Sequence, residues 1–273
     1  MKVAVIYYSV RGARPHFSPH PRSPATLDTP EPSRGVPALC IAPTRIATSG
    51  RPQTYGHMAK MAHKVAEGIN SVEGCHADVF QVAETLSAEI LEKMHAPPKA
   101  SDPVIDAATM ATYDAVVFGC NGRYGMVPAQ MKTFFDSCGQ LWSKGAMTGK
   151  ASSMGCHASA ACLFLSVVLT GAPTPPRLQP ATIVVSTGTP QGGQETIALT
   201  TLPFLVHMGM IYVPTGYSFG AEMFDTATVH AGSPYGAGTF AGADGSRQPS
   251  DMELRFAAHH GKYFAGIAKK IAA

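Results

Sequence analysis

Three short segments carry residue types able to grip a small molecule through backbone amides and hydroxyls, and each follows a run of apolar residues. The first is Ser9-Val10, resumed after an interruption by Tyr55-Gly56-His57-Met58, which opens a helical pattern. A hydroxyl beside free N–H groups at a helix N-terminus suits an anion, because the helix dipole favours negative charge there. The second is Asn121-Gly122-Arg123-Tyr124-Gly125, and the third runs from Ser186 through Thr187, Gly188, Thr189, Pro190 and Gln191 to Gly192-Gly193. Together they offer a cation, an aromatic ring, hydroxyls and glycine amides, enough to hydrogen-bond the edge of a flat heterocycle while an aromatic covers its face. Neither G-x-G-x-x-G nor the Walker lysine pattern occurs, which argues against a dinucleotide Rossmann site or an ATPase.

Such segments need elements to place them. Apolar periodicity predicts strands over 3–8, 77–82, 115–120, 183–186 and 210–214, with helices over 57–70, 88–94, 128–140, 194–207 and 251–271. Nearly continuous apolar strands such as VAVIYY and AVVFG belong in a parallel sheet covered on both faces. Alternation of this kind predicts an α/β fold with an open doubly wound five-stranded parallel sheet. Ligands bind beyond the carboxyl ends of such strands, where the three segments fall. A flat ring with one phosphate on a tail is the outline of FMN.

Composition sets the remaining bounds. The 273 residues are 45% hydrophobic and 14% charged with a formal charge of +3, which excludes a wholly disordered or fibrous chain. No apolar run reaches the roughly 18 to 20 residues of a membrane span. An apolar strand beginning directly after Met1-Lys2 leaves no room for a cleavable signal peptide, so a cytoplasmic protein is expected. Six cysteines lack any C-x-x-C pair or zinc-type spacing and are expected to remain inert thiols, with no metal site. Two segments differ from the rest. Residues 11–54 hold nine prolines and six arginines without a lysine, and residues 151–180 hold four prolines. Pro clusters break helix and sheet, so both read as irregular inserts in a single domain spanning 1–273. Without them 199 residues remain, with 14 basic and 16 acidic side chains. The basicity therefore lies in the inserts and is no argument for nucleic acid or anionic lipid. Excision would rejoin YYSV to YGHM and GK to ATIVVSTG, as expected of translated intron-like sequence absent from the working protein.

The motifs YYS, YGHM, GRYG, QMKTFFD, LWSKGA, STGTPQGGQE, VPTGY, SPYGA and AGADGSRQPS, in this order, resemble the flavodoxin-like NAD(P)H:quinone oxidoreductases of the tryptophan-repressor-binding-protein (WrbA) type. The resemblance implies two-electron, ping-pong reduction of quinones by NAD(P)H through FMN. It also implies that Ser9, Val10, Tyr55, Gly56, His57 and Met58 hold the FMN phosphate. On the same resemblance, Gly122, Arg123 and Tyr124, with Ser186, Thr187, Gly188, Thr189, Pro190 and Gln191, would line the isoalloxazine. Tyr55 would also face the nicotinamide nucleotide, Trp142 would lie over the ring where quinone and nicotinamide alternate, and a homotetramer would complete each site with neighbouring subunits.

This chain departs from the pattern in places. The family's Pro-Thr-Arg reads Asn121-Gly122-Arg123, and Met208 stands where the family has a flavin-contacting His; methionine packs on a ring but donates no hydrogen bond. His207 is the candidate proton partner, its alternative being a satisfied structural histidine. His259 and His260, near Arg255 and Lys262, read as surface residues or caps. Met58, Met61 and Met131 follow helical spacing and read as core, while Asp136 has no visible catalytic partner. The stretch from Asp244 to Gln248 is a structural turn or a subunit contact, contact being favoured. Rival functions are a non-catalytic flavodoxin-like electron carrier, against which a core lacking strong acidity counts, and a flavin-free interaction protein whose phosphate loop the first insert has destroyed.

Overall fold

In the computed structural model, which describes residues 1–9, 56–93, 100–148, 178–242 and 244–272, the apolar runs form one parallel sheet. The strands are β1 (Lys2–Tyr7), β2 (His76–Gln81), β3 (Ala115–Asn121), β4 (Pro180–Thr187), β5 (Ile211–Tyr212) and β6 (Gly238–Phe240). Their order is β2-β1-β3-β4-β5, with β6 also on β4. Since β3 occupies one edge of β4, β5 and β6 share the other: Ile211 pairs with Pro180 at its start and Thr239 with Ser186 at its end. The fifth position of the sheet is thus built from two short strands. The strand expected over 210–214 pairs only at Ile211–Tyr212, with one further ladder bond from the Val213 N–H to the Ala181 carbonyl. Pro214 follows without an N–H, and the chain leaves the sheet there.

The helices are α1 (His57–Asn70), α2 (Ala88–Lys93), α3 (Ala107–Met110), α4 (Ala129–Ser137), α5 (Gly139–Ser143), α6 (Gln194–Met208) and α7 (Asp251–Ala272). The single helix expected over 128–140 divides at Cys138 into α4 and α5. The short α3 was not expected; Asp106 caps it by accepting the Thr109 N–H at 2.6 Å. The insert limits also need correction, because Pro180 is the first residue of β4, where a missing N–H is tolerated, and Gln179 is buried. Residues 11–54 and 151–177 lie outside the described residues.

Both faces of the sheet are covered, as fully buried strands require. On one face Val3, Val5, Tyr7 and Val117 meet Met58, Met61 and Val65 of α1 and Phe256 and Phe264 of α7. On the other Ile6, Phe118 and Ile183 meet Phe134 and Phe135 of α4 and Ile197 and Leu205 of α6. Two glycines let α1 and α7 approach each other. A Cβ on Gly68 would sit 1.9 Å from the Ala258 carbonyl oxygen, and one on Gly261 would sit 2.0 Å from that of Val65. Among the described residues no helix is long and apolar enough to cross a membrane.

Candidate functional site

The order β2-β1-β3-β4-β5 reverses direction between β1 and β3, so the crevice beyond their carboxyl ends is the place this architecture offers a ligand. On one side of it α1 begins. Gly56 precedes the helix with φ +153°, no side chain caps the first turn among the described residues, and that turn holds no acid. A helix N-terminus of this kind favours negative charge beside it through its dipole. Gly119 brings this helix end close to the sheet, since a Cβ there would lie 2.9 Å from the Met58 sulfur. Ser9 is half-buried beyond β1, whereas Val10 and Tyr55 fall outside the described residues. His57 is buried and its Nε2–H donates to the Arg247 carbonyl; burial holds its pKa below the ordinary value, favouring the neutral ring.

The second segment is pinned at its base. The Gly122 N–H donates to the Ser186 carbonyl at 2.6 Å, and a Cβ at Gly122 would meet Ile197 Cδ1 at 2.6 Å. Arg123 and Met126 then exchange backbone hydrogen bonds at 2.8 and 3.0 Å around Tyr124 (φ +52°) and Gly125 (φ +75°), a tight turn with both central residues left-handed. Tyr124 consequently stands fully in solvent, with Arg123 exposed beside it. The Tyr8 hydroxyl donates to Glu84 at 3.0 Å, and burial together with that carboxylate pushes its pKa far up. Glu84 also accepts from Gln130 Nε2 at 2.9 Å, tying the ends of β1 and β2 to α4. Asn121, the last residue of β3, has a buried Oδ1 with no hydrogen-bond partner among the described residues.

In the third segment Ser186 and Thr187 are buried and Gly188 to Gln191 are exposed. The Thr187 hydroxyl donates to the Thr189 carbonyl at 2.8 Å, and Gly193 in the left-handed region (φ +80°) starts α6. Buried Gln194 secures this bend: its Nε2 donates to Thr187 Oγ1 (3.0 Å) and the Thr239 carbonyl (3.1 Å), and its Oε1 accepts the Gly232 N–H (3.0 Å). A cleft of about 350 Å³ opens beside the bend, between Pro190-Gln191 and His230 to Ser233.

An ion pair between half-buried Arg247 and buried Glu253 closes the rim, and sequence reading missed it. Arg247 meets Glu253 through two hydrogen bonds, Nη1 to Oε2 at 3.0 Å and Nη2 to Oε1 at 2.9 Å, and its guanidinium lies 3.6 Å over the Phe240 ring. Glu253, wholly buried, also accepts from the N–H groups of Ala231 and Ser250 and from the Thr239 hydroxyl. Ser250 Oγ accepts the Glu253 N–H at 3.2 Å, a reciprocal capping box that starts α7. Within the chain the stretch from Asp244 to Gln248 forms a turn, with Asp244 Oδ1 accepting from the N–H and hydroxyl of Ser246. The Ser-x-x-Glu spacing was the signal that could have shown it.

Three expected site residues lie elsewhere. Helix α6 starts at the carboxyl rim and runs back, so His207 and Met208 end it beside the start of β5, at the opposite edge of the sheet. Met208 is packed in the core and His207 is exposed. Trp142, 60% exposed on α5, is on that side too, six residues before Thr148, whose hydroxyl oxygen would lie 2.7 Å from a Cβ on Gly209. One chain does not bring these three to the rim. The expectation for His260 also needs correction. It is wholly buried, with Nδ1 accepting the Ala237 N–H at 3.1 Å and Nε2 on the Thr182 hydroxyl at 2.7 Å, which donates onward to the Val213 carbonyl. Burial drives its pKa down to about 3, with the neighbouring His259 adding to the shift. His259 itself is hydrogen-bonded to the Ser218 hydroxyl at 2.9 Å.

Comparison with known proteins agrees with this geometry. A sequence model of the family described as NADPH-dependent FMN reductase matches residues 45–224. Quinone-oxidoreductase QR2 of Triphysaria versicolor is 48% identical over 218 residues, 80% of this chain and 92% of that protein. The probable NAD(P)H dehydrogenase (quinone) FQR1-like 2 of Arabidopsis thaliana is 44% identical over 219 residues, 80% of this chain and 69% of its own. With a parallel sheet in the flavodoxin-like order and this degree of identity over most of its length, the chain belongs to the flavodoxin-like NAD(P)H quinone oxidoreductases of the NADPH-dependent FMN reductase family.

Proposed function

We propose that this chain reduces quinones by two electrons at the expense of NAD(P)H, with FMN held at the carboxyl rim of the sheet. The observation that carries the reading is the meeting, at the reversal between β1 and β3, of the N-terminus of α1 with two glycine-bearing loops, in a chain 48% identical to a quinone oxidoreductase. The residues fit the group. Among the described residues, an added Cβ at Gly56 or Gly188 would have no atom within 4 Å, while Gly122 and Gly192 are closed off by Ile197 and Thr187. A phosphate thus has donors at one end and a flat ring has room at the other.

Bound FMN supplies the hydride chemistry that couples a nicotinamide to a quinone. Ser9, Val10, Tyr55, Gly56, His57 and Met58 would hold the phosphate, with the neutral His57 keeping its proton on the Arg247 carbonyl rather than competing for the anion. The backbone amides of Gly188 to Gln191 and the Arg123 guanidinium would stabilise negative charge on the reduced ring, for donors fixed in advance need no reorganisation. Tyr124 would shelter the ring from water. Trp142 and His207 would act on a neighbouring subunit's site in a homotetramer, a reading supported by their exposure at the far edge of the sheet. Buried Met208 would serve its own chain's core. The chain would work as one domain interrupted by 11–54 and 151–177, in the cytoplasm, where Cys120 and Cys138, whose pKa values burial raises to about 12 and about 11, stay thiols.

The test is direct. Purified full-length protein should show a flavin absorption band and consume NADH or NADPH only when benzoquinone is present. A colourless preparation that takes up no added FMN overturns the reading, and a yellow protein inert toward both nicotinamides would instead be an electron carrier.

A further inference from the structure

We propose that the side chain of Asn121 holds the ribityl chain of the flavin nucleotide, its Oδ1 accepting a hydrogen bond from a ribityl hydroxyl. The inference rests on the functional reading above and adds a ligand contact to it. Asn121 ends β3, one of the two strands flanking the reversal of strand order, and pairs with Ser186 of β4. Successive side chains along a strand alternate between faces. Val117 faces α1 and α7, while Phe118 and Cys120 face α4 and α6, so Asn121 falls on the face of α1, two residues beyond the Gly119 against which Met58 packs. Its Oδ1 is buried and lacks a donor among the described residues, a state that costs stability until a partner arrives. A second orphaned amide oxygen, Gln179 Oε1, lies at the amino edge of β4, far from the crevice, where the same side chain donates to the Tyr113 carbonyl.

The chemistry of the orphan selects the part of the ligand. An acceptor is repelled by the anionic oxygens of a phosphate, and the phosphate has the N-terminus of α1. The ring belongs to the loops beyond Gly122 and Thr187. Between those two ends runs the polyol, whose hydroxyls are donors.

The test uses the full chain stripped of flavin and titrated with FMN and with its 2′-, 3′- and 4′-deoxy analogues, read by quenching of flavin fluorescence. The native chain should bind one analogue about tenfold more weakly than FMN. Asn121→Ala should bind FMN about tenfold more weakly and no longer distinguish that analogue from FMN. Asn121→Leu, close to asparagine in size, should behave alike and separates the lost acceptor from lost packing. Unchanged FMN affinity in both variants, or an equal penalty for every analogue in native and variant chains, overturns the contact while leaving the quinone reductase reading intact. A native chain that binds no flavin overturns both.

Discussion

Glu253 shows how one buried carboxylate can organise a rim. Its two oxygens take five hydrogen bonds, two of them from Arg247, and the Arg247 carbonyl in turn receives the His57 proton at the start of α1. Glu253→Gln would turn an amide N–H toward donors and leave Arg247 without its counter-charge. Breaking a buried pair from one side costs several kcal/mol, so urea unfolding should show a loss of about 3 kcal/mol, with FMN binding weakened as well. His260 acts in the opposite electrical state. Its folded pKa of about 3 lies below the ordinary 6.5, so below pH 6.5 the unfolded chain takes up a proton that the folded chain refuses. Stability contributed by the neutral ring is whole above pH 6.5 and is lost as pH falls from there toward 3, at up to about 1.4 kcal/mol per pH unit. Between pH 7 and 5 the native protein should therefore lose roughly 2 kcal/mol more than His260→Gln, measured by urea unfolding at each pH.

At the scale of elements, close approach decides what the helices can be made of. Glycine inside a helix costs about 1 kcal/mol relative to alanine, yet Gly68 and Gly261 occupy the interiors of α1 and α7. Each faces a backbone carbonyl of the other helix at a distance that admits no Cβ. Alanine at either position should thus reverse its usual helix-stabilising effect and lower stability by about 2 to 3 kcal/mol, seen as a lower Tm in calorimetry. The turn after β3 likewise breaks a local rule. Asparagine or glycine is favoured at the first central position of such a turn, and Tyr124 sits there with φ +52°. The proposed sheltering of the flavin by that exposed ring would account for strain of this kind.

For the whole molecule the largest question concerns 11–54, which separates Ser9 from Gly56 inside the loop assigned to the phosphate. Loop closure costs about 0.6 kcal/mol for each doubling of length. Removing those 44 residues leaves a loop of ordinary length, so the shortened chain should gain roughly 2 kcal/mol in urea unfolding and bind FMN at least as tightly as the full chain. Loss of flavin binding in the shortened chain would show that the segment contributes to the site.

The sequence by itself determined the alternation of the main strands and helices, the parallel sheet and the rim where the three loops meet, because strand and helix periods are local and the carboxyl-end rule follows from topology. It also carried the family, through motifs such as STGTPQGGQE that need no coordinates. Only the tertiary structure decided which residues of those motifs share one place. It put His207, Met208 and Trp142 at the opposite edge from the loops, because α6 runs back along the sheet. It found β6, whose three residues are too few to show a period, and it showed His260 buried and Arg247 paired with Glu253. Burial and pairing depend on what the rest of the chain brings alongside, and no local pattern records that.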